Sequence, residues 1–215
     1  MKIYLIAGML NYTDWIEDVE LVDSIEEADL VLFEGGADVS PYVYNETNIN
    51  PRTYSDSARD EYEVKEFLKA VALGKHILGV CRGSQLSCAM AGGKLVQDQP
   101  NPSYIHDMIT DDGRVIKVTS THHQAQFPFN LPEDDYKIIG WTENMLNHHH
   151  DGKEEEMNPS KECEIVYYKK IKALAIQPHP EMLINKWTYK AHEGFEDSIS
   201  YFREVLSKFM NNEYN

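Results

Sequence analysis

Residues 76–87 read HILGVCRGSQLS, an apolar run that ends in a cysteine set between two glycines. Gly79, Cys81 and Gly83 make G-x-C-x-G, the cysteine form of a strand–nucleophile–helix turn that presents its central side chain at the tip of a sheet. Glycines on both sides relieve the crowding of a turn that strains its central residue. A helix starting near Gly83 aims its N-terminal dipole at the sulfur and lowers the thiol pKa. That activation matters, because an ordinary thiol with a pKa of about 8.5 is only a few per cent thiolate at neutral pH. The same pentapeptide also suits a small buried residue in a glycine-rich loop, so the rest of the chain has to decide.

Three further segments carry the parts an acyl-transfer thiol needs. ALAIQPHPE, residues 173–181, runs an apolar strand into His179, with Glu181 two residues on. In extended chain these two share a side, so the carboxylate can fix the imidazole tautomer. FEGGADVSPYVYNE, residues 33–46, follows the apolar run Leu30–Phe33. Its Gly35–Gly36 turn can direct a backbone N–H at an oxyanion, and the N–H of Arg82, just after the thiol, is the second candidate donor. VTSTHHQAQ, residues 118–126, offers Ser120, His122, His123 and Gln124 in one loop. Each segment alone also reads as ordinary structure: a turn, a satisfied His–Glu pair, local hydrogen bonds.

The elements that must position these groups alternate in type. Strands are expected at Lys2–Ala7, Leu30–Phe33 and His76–Val80. Between the last two, Arg59–Leu73 spaces Val64, Phe67, Leu68, Val71 and Ala72 as one apolar helical face, which Gly74 ends. Strand, helix and strand of this kind imply a parallel sheet with right-handed crossovers. Gly83–Ala91 reads as the next helix. Asp112–Gly113 is a hairpin signal between Asp107–Thr110 and Arg114–Ser120, and strands Tyr136–Trp141, Glu164–Tyr168 and Ala173–Gln177 follow. A last helix, Phe195–Phe209, lines up Ile199, Phe202, Leu206 and Phe209. The expectation is one α/β domain over residues 1–215, a mostly parallel central sheet with helices on both faces and a small antiparallel extension. In such sheets ligands sit beyond the carboxyl ends of the strands, where Cys81 lies.

Composition narrows the setting. A chain of 215 residues with 42% hydrophobic content is ordinary for a globular protein, and no apolar run approaches the ~20 residues that span a membrane. The apolar start MKIYLIAGML turns polar at Asn11–Asp14 without a small-residue cleavage site, so it reads as a core strand and not a signal peptide. Three cysteines cannot all pair, which fits a reducing cytoplasm. A formal net charge of −16 repels phosphate backbones and argues against nucleic-acid binding. His148–His150 have imidazoles suited to zinc or nickel, but with no second cluster beside them they read as a solvated loop next to Asp151–Gly152. Trp187, Tyr189 and His192 either line the site or pack.

GVCRGSQL, followed about a hundred residues on by QPHPE, resembles the class I glutamine amidotransferase family, whose pattern is G-x-C-x-G-x-Q and then H-P-E. GGADVSPYVY, the RDEYE opening of the preceding helix, AGGKLVQD and STHHQ are most similar to the gamma-glutamyl hydrolase branch, which includes gamma-glutamyl-gamma-aminobutyrate hydrolase. The resemblance implies the flavodoxin-like amidotransferase fold. It implies Cys81 as nucleophile, His179 as base and Glu181 as orienting carboxylate. Gly36 and Arg82 match the oxyanion donors, while Gln85, Ser120, Thr121 and His122 match positions that contact the glutamyl group. Two departures stand out: Pro178 replaces the commoner aromatic or glycine, and only Gln99–Asp107 separate the QD motif from the next strand.

The chemistry so implied is attack of the thiolate on a γ-glutamyl amide, giving a glutamyl thioester that water hydrolyses, with no metal or organic cofactor. If the leaving amine is ammonia, the chain is a glutaminase that feeds a synthase partner. If it is larger, the chain is a free-standing γ-glutamyl hydrolase. A non-catalytic binding member of the fold is the third reading.

Overall fold

The computed structural model describes residues 1–48, 53–98, 105–119, 121–142 and 161–214, with the backbone alone at 149–150 and 153–154. In chain order the strands are β1 Lys2–Leu5, β2 Glu20–Leu21, β3 Leu30–Phe33, β4 His76–Val80, β5 Lys94–Val96, β6 Ile105–Thr110, β7 Val115–Thr119 and β8 Ala125–Phe127. They continue as β9 Tyr136–Thr142, β10 His149–His150, β11 Lys153–Glu154, β12 Glu162–Tyr168, β13 Ala173–Ile176, β14 Ile184–Asn185 and β15 Lys190–Ala191. The helices are α1 Ser57–Ala72, α2 Arg82–Met90 and α3 Glu196–Met210.

Nine strands form one sheet in the order β2-β1-β3-β4-β13-β12-β9-β6-β7. From β2 to β13 the neighbours run parallel. Beyond β13 they run antiparallel, so the extension expected from the sequence is continuous with the parallel half. The Asp112–Gly113 hairpin joins β6 to β7, with Gly113 at φ +87.

Alternation along the central strands divides the core in two. Leu30, Leu32, Leu78 and Val80 face one side, where Ile199, Phe202 and Phe209 of α3 cover them. Val31, Phe33 and Ile77 face the other, against Phe67 and Ala70 of α1 and Leu86 of α2. Helices therefore lie on both faces, as the alternating pattern required. Among the described residues, no helix is long and apolar enough to cross a membrane.

The inward stripe of α1 differs from the expected one. Asp60, Glu63, Phe67 and Ala70 are buried, whereas Leu68 is 55% exposed. The helix is turned so that its first turns bury carboxylates instead of apolar groups, and their partner is the buried arginine that follows Cys81. His149 and His150, expected in a loop, pair with Glu154 and Lys153 in a short antiparallel ladder. His148 lies outside the described residues.

Candidate active site

Cys81 sits between β4 and α2 at φ 52, ψ −108, a left-handed conformation that a side chain rarely adopts. Its N–H donates to the Ile176 carbonyl over 2.8 Å, tying the end of β4 to β13. Its carbonyl accepts the N–H groups of Ser84 and Gln85 at 3.0 and 3.2 Å and starts α2. The flanking glycines relieve crowding, as expected, through the lack of a side chain and not through backbone conformation. Neither has a positive φ. A Cβ on Gly79 would collide with the Gly83 carbonyl, and one on Gly83 with the Phe33 carbonyl. The elbow needs glycine because β3, β4 and α2 approach backbone to backbone.

β13 delivers His179 to the same edge. Thr119, at the end of β7, accepts the His179 N–H at 3.1 Å and returns its hydroxyl to the His179 carbonyl at 3.3 Å. The imidazole Nδ1–H donates to Glu181 Oε1 over 2.6 Å, and Nε2 lies 2.9 Å from the Thr121 hydroxyl. Extended chain does not make the His–Glu contact. Pro180–Leu183 is a 3₁₀ turn that begins directly after His179 and folds Glu181 back onto the ring. His179 and Glu181 are 4% and 6% exposed. Burial works against the charged imidazole, but hydrogen bonding to Cys81 and Glu181, and their charges, prevail and push its pKa up to about 10.

Cys81, His179, Gly36, Gln85, Thr121 and His122 line one cavity of about 360 Å³. The Gln85 amide donates to the Gln124 carbonyl at 2.9 Å, which holds its side chain at the cavity wall. His122 Nδ1–H donates to the same carbonyl at 2.8 Å, and burial lowers its pKa to about 4, so the ring is neutral at pH 7. His123 stands at the rim, 3.1 Å from Asp38. Among the described residues, neither the Gly36 N–H nor the Arg82 N–H carries a hydrogen bond. Ser120 lies outside the described residues.

Several neighbours of this cavity went unread in the sequence. Tyr12 packs its hydroxyl against Gly35 and its ring 6.3 Å from that of His179. Glu34, fully buried at the end of β3, accepts the Met9 N–H at 2.8 Å and so anchors the chain that leads to Tyr12. His122, Glu162 and Glu164 offer ligand atoms within 4.8 Å of one another, a grouping able to hold a metal ion that no local spacing announces. Trp187 and His192 line a separate cavity with Asn11, Asp14 and Glu181, away from Cys81.

Cys88 and Cys163 differ from Cys81. Both are fully buried, and burial pushes the Cys88 thiol up to about 12 and the Cys163 thiol well above its ordinary value. All three cysteines are free.

Solved structures share this architecture. A chain of PurLQS from Thermotoga maritima superposes with TM-score 0.59 at 18% identity, covering 96% of this chain and 97% of that one. A GMP synthase component from Thermoplasma acidophilum gives 0.51 at 18% identity, covering 96% and 98%. At such identities the likeness concerns the fold. In sequence, the glutamine amidotransferase-like protein YvdE of Lactococcus lactis is 29% identical over 197 residues, 80% of this chain and 75% of that protein. The model of the peptidase C26 family matches residues 6–181, from just after the first strand through Glu181, and the chain belongs to that family.

Proposed function

We propose that residues 1–215 form one catalytic domain that hydrolyses a γ-glutamyl amide, with glutamine as substrate and glutamate and ammonia as products. One observation carries this reading: Cys81 is held at positive φ in the same cavity as His179, whose ring bonds Glu181. In the proposed sequence the Cys81 thiolate adds to the side-chain carbonyl carbon, and the oxyanion is met by the N–H groups of Gly36 and Arg82. His179 gives its Nε2 proton to the departing amine as the C–N bond breaks, leaving a glutamyl thioester. His179, now neutral, takes a proton from water, whose oxygen forms the new C–O bond as the thiolate departs. Gln85, Thr121 and His122 line the pocket for the glutamyl end, and Ser120, next to Thr121 in sequence, is assigned the same role.

The names of the similar proteins support an amidotransferase whose ammonia passes to a synthase partner. The peptidase description of the family supports a second reading, a self-sufficient hydrolase with a larger leaving amine. Free, buried cysteines accord with a reducing cytoplasm as its location. The test is to incubate the chain with glutamine and with a panel of γ-glutamyl amines and to measure released glutamate, with Cys81→Ala as control. Turnover of glutamine that is slow in isolation is expected, since a docking partner can complete such a site. Fast turnover of the amines with little on glutamine points to the second reading, and silence on every substrate rejects catalysis.

A further inference from the structure

We infer that Arg59 is a positioning residue that holds the oxyanion donors in register through a buried ion-pair chain at the start of α1. This rests on the γ-glutamyl hydrolysis proposed above. The Asp56 side chain accepts the N–H groups of Ala58 and Arg59, each at 3.1 Å, and so fixes where α1 begins. From that first turn, Arg59 Nη2 donates to the Gly35 carbonyl at 3.0 Å. Arg59 Nε donates to Glu63 Oε1 at 2.6 Å. The other Glu63 oxygen accepts from Arg82 Nη1, while Arg82 Nη2 donates to Asp60 Oδ1 at 2.5 Å. Asp60 Oδ2 in turn accepts the Ser40 hydroxyl, from the loop that follows Gly36. One chain of side chains thus joins the Gly35–Gly36 loop to the residue after Cys81.

The geometry explains why this matters for an oxyanion. A trans peptide is planar, with its C=O and N–H pointing in opposite directions. Fixing the Gly35 carbonyl on Arg59, outside the cavity, turns the Gly36 N–H away from Arg59 and toward the cavity that Gly36 lines with Cys81. The guanidinium also occupies the space above Gly36, where a Cβ would collide with Arg59 Nη1. The second donor is tethered from its own side chain. Arg82 is 1% exposed and its guanidinium is held by two buried carboxylates, so the first turn of α2 cannot shift without breaking them. Within the chain two arginines face two carboxylates, so neither guanidinium is left as a lone buried charge. Arg59 is the most exposed of the four, its side chain 21% accessible, and so it is the member that can be changed with least risk to folding.

Arg59→Lys keeps the charge balance but lacks the planar fork that serves Glu63 and Gly35 at once. Removing an oxyanion donor outright costs about 10²–10³ in kcat. Loosening one should cost Arg59→Lys roughly 10-fold and Arg59→Ala roughly 100-fold in kcat, with KM within about threefold. Alkylation of Cys81 by iodoacetamide, which builds no oxyanion, should stay within about twofold of wild type. Amide exchange at Gly35–Gly36 should quicken in both variants. Unchanged kcat with unchanged exchange in Arg59→Lys and Arg59→Ala would overturn the inference, as would an equal loss of alkylation, which marks a general structural role. If the wild type turns over no γ-glutamyl amide, the proposed function fails, while the exchange measurement still decides whether Arg59 holds this peptide.

Discussion

Replacing Glu181 by Gln keeps the shape of the side chain and removes its charge. In the wild type, His179 Nδ1–H donates to Glu181 Oε1 over 2.6 Å, with the two side chains 5% and 2% exposed, so solvent does little to screen the pair. A hydrogen bond to a charged partner contributes about 1.5–3 kcal/mol. The glutamine oxygen still accepts from Nδ1–H, so what is lost is the excess over a neutral hydrogen bond, about 1–1.5 kcal/mol. At ~1.4 kcal/mol per tenfold, that predicts a fall of roughly 5- to 12-fold in kcat for Glu181→Gln. The pH profile should move as well. With a pKa of about 10, wild-type His179 remains protonated through neutral pH and can protonate the leaving amine. Activity then falls as pH rises toward that value. In Glu181→Gln one of the two groups raising the pKa is gone while burial still lowers it, so the alkaline limb must shift to lower pH. Initial rates of glutamate release, on whichever γ-glutamyl amide turns over best, measured from about pH 6 to about pH 11, report both quantities. A rate within about threefold of wild type together with an unmoved alkaline limb would refute the role given to Glu181.

Other changes test neighbouring parts of the structure. A glutamine-like electrophile should label Cys81 at least about tenfold faster than Cys88 or Cys163, because only a thiolate reacts and burial keeps the other two protonated. Peptide mass mapping that finds Cys88 labelled equally would contradict this. Gly83→Ala should lower stability by about 1–3 kcal/mol, a fall in Tm of roughly 2–12 °C, since its Cβ meets the Phe33 carbonyl. An unchanged melting curve would show that β3 and α2 can separate at no cost.

Periodicity carried a large part of the architecture. Strands β3 and β4 lie where their apolar runs stand, because a strand buried on both faces admits few polar residues. The face of α3 was legible for the matching reason, as Ile199, Phe202, Leu206 and Phe209 repeat at helical spacing and all are buried. Local chemistry marked the elbow and the H-P-E segment as candidate site residues. What lay beyond reach was set by contacts between residues far apart in the chain. Leu68 looked inward by hydrophobicity, yet α1 turns instead to bury Asp60 and Glu63, because Arg82 is buried behind the elbow and needs both carboxylates. Tyr12 and Glu34 come to the cavity only when β1 and β3 pair side by side. Thr119 holds His179 from 60 residues away, a contact that no local pattern encodes. The sequence by itself determined which residue types stand at the strand ends, since hydrophobic alternation and glycine spacing are local properties. Only the tertiary structure decided how Cys81, His179 and the first turn of α1 come together, because buried charges must find partners wherever the fold brings them.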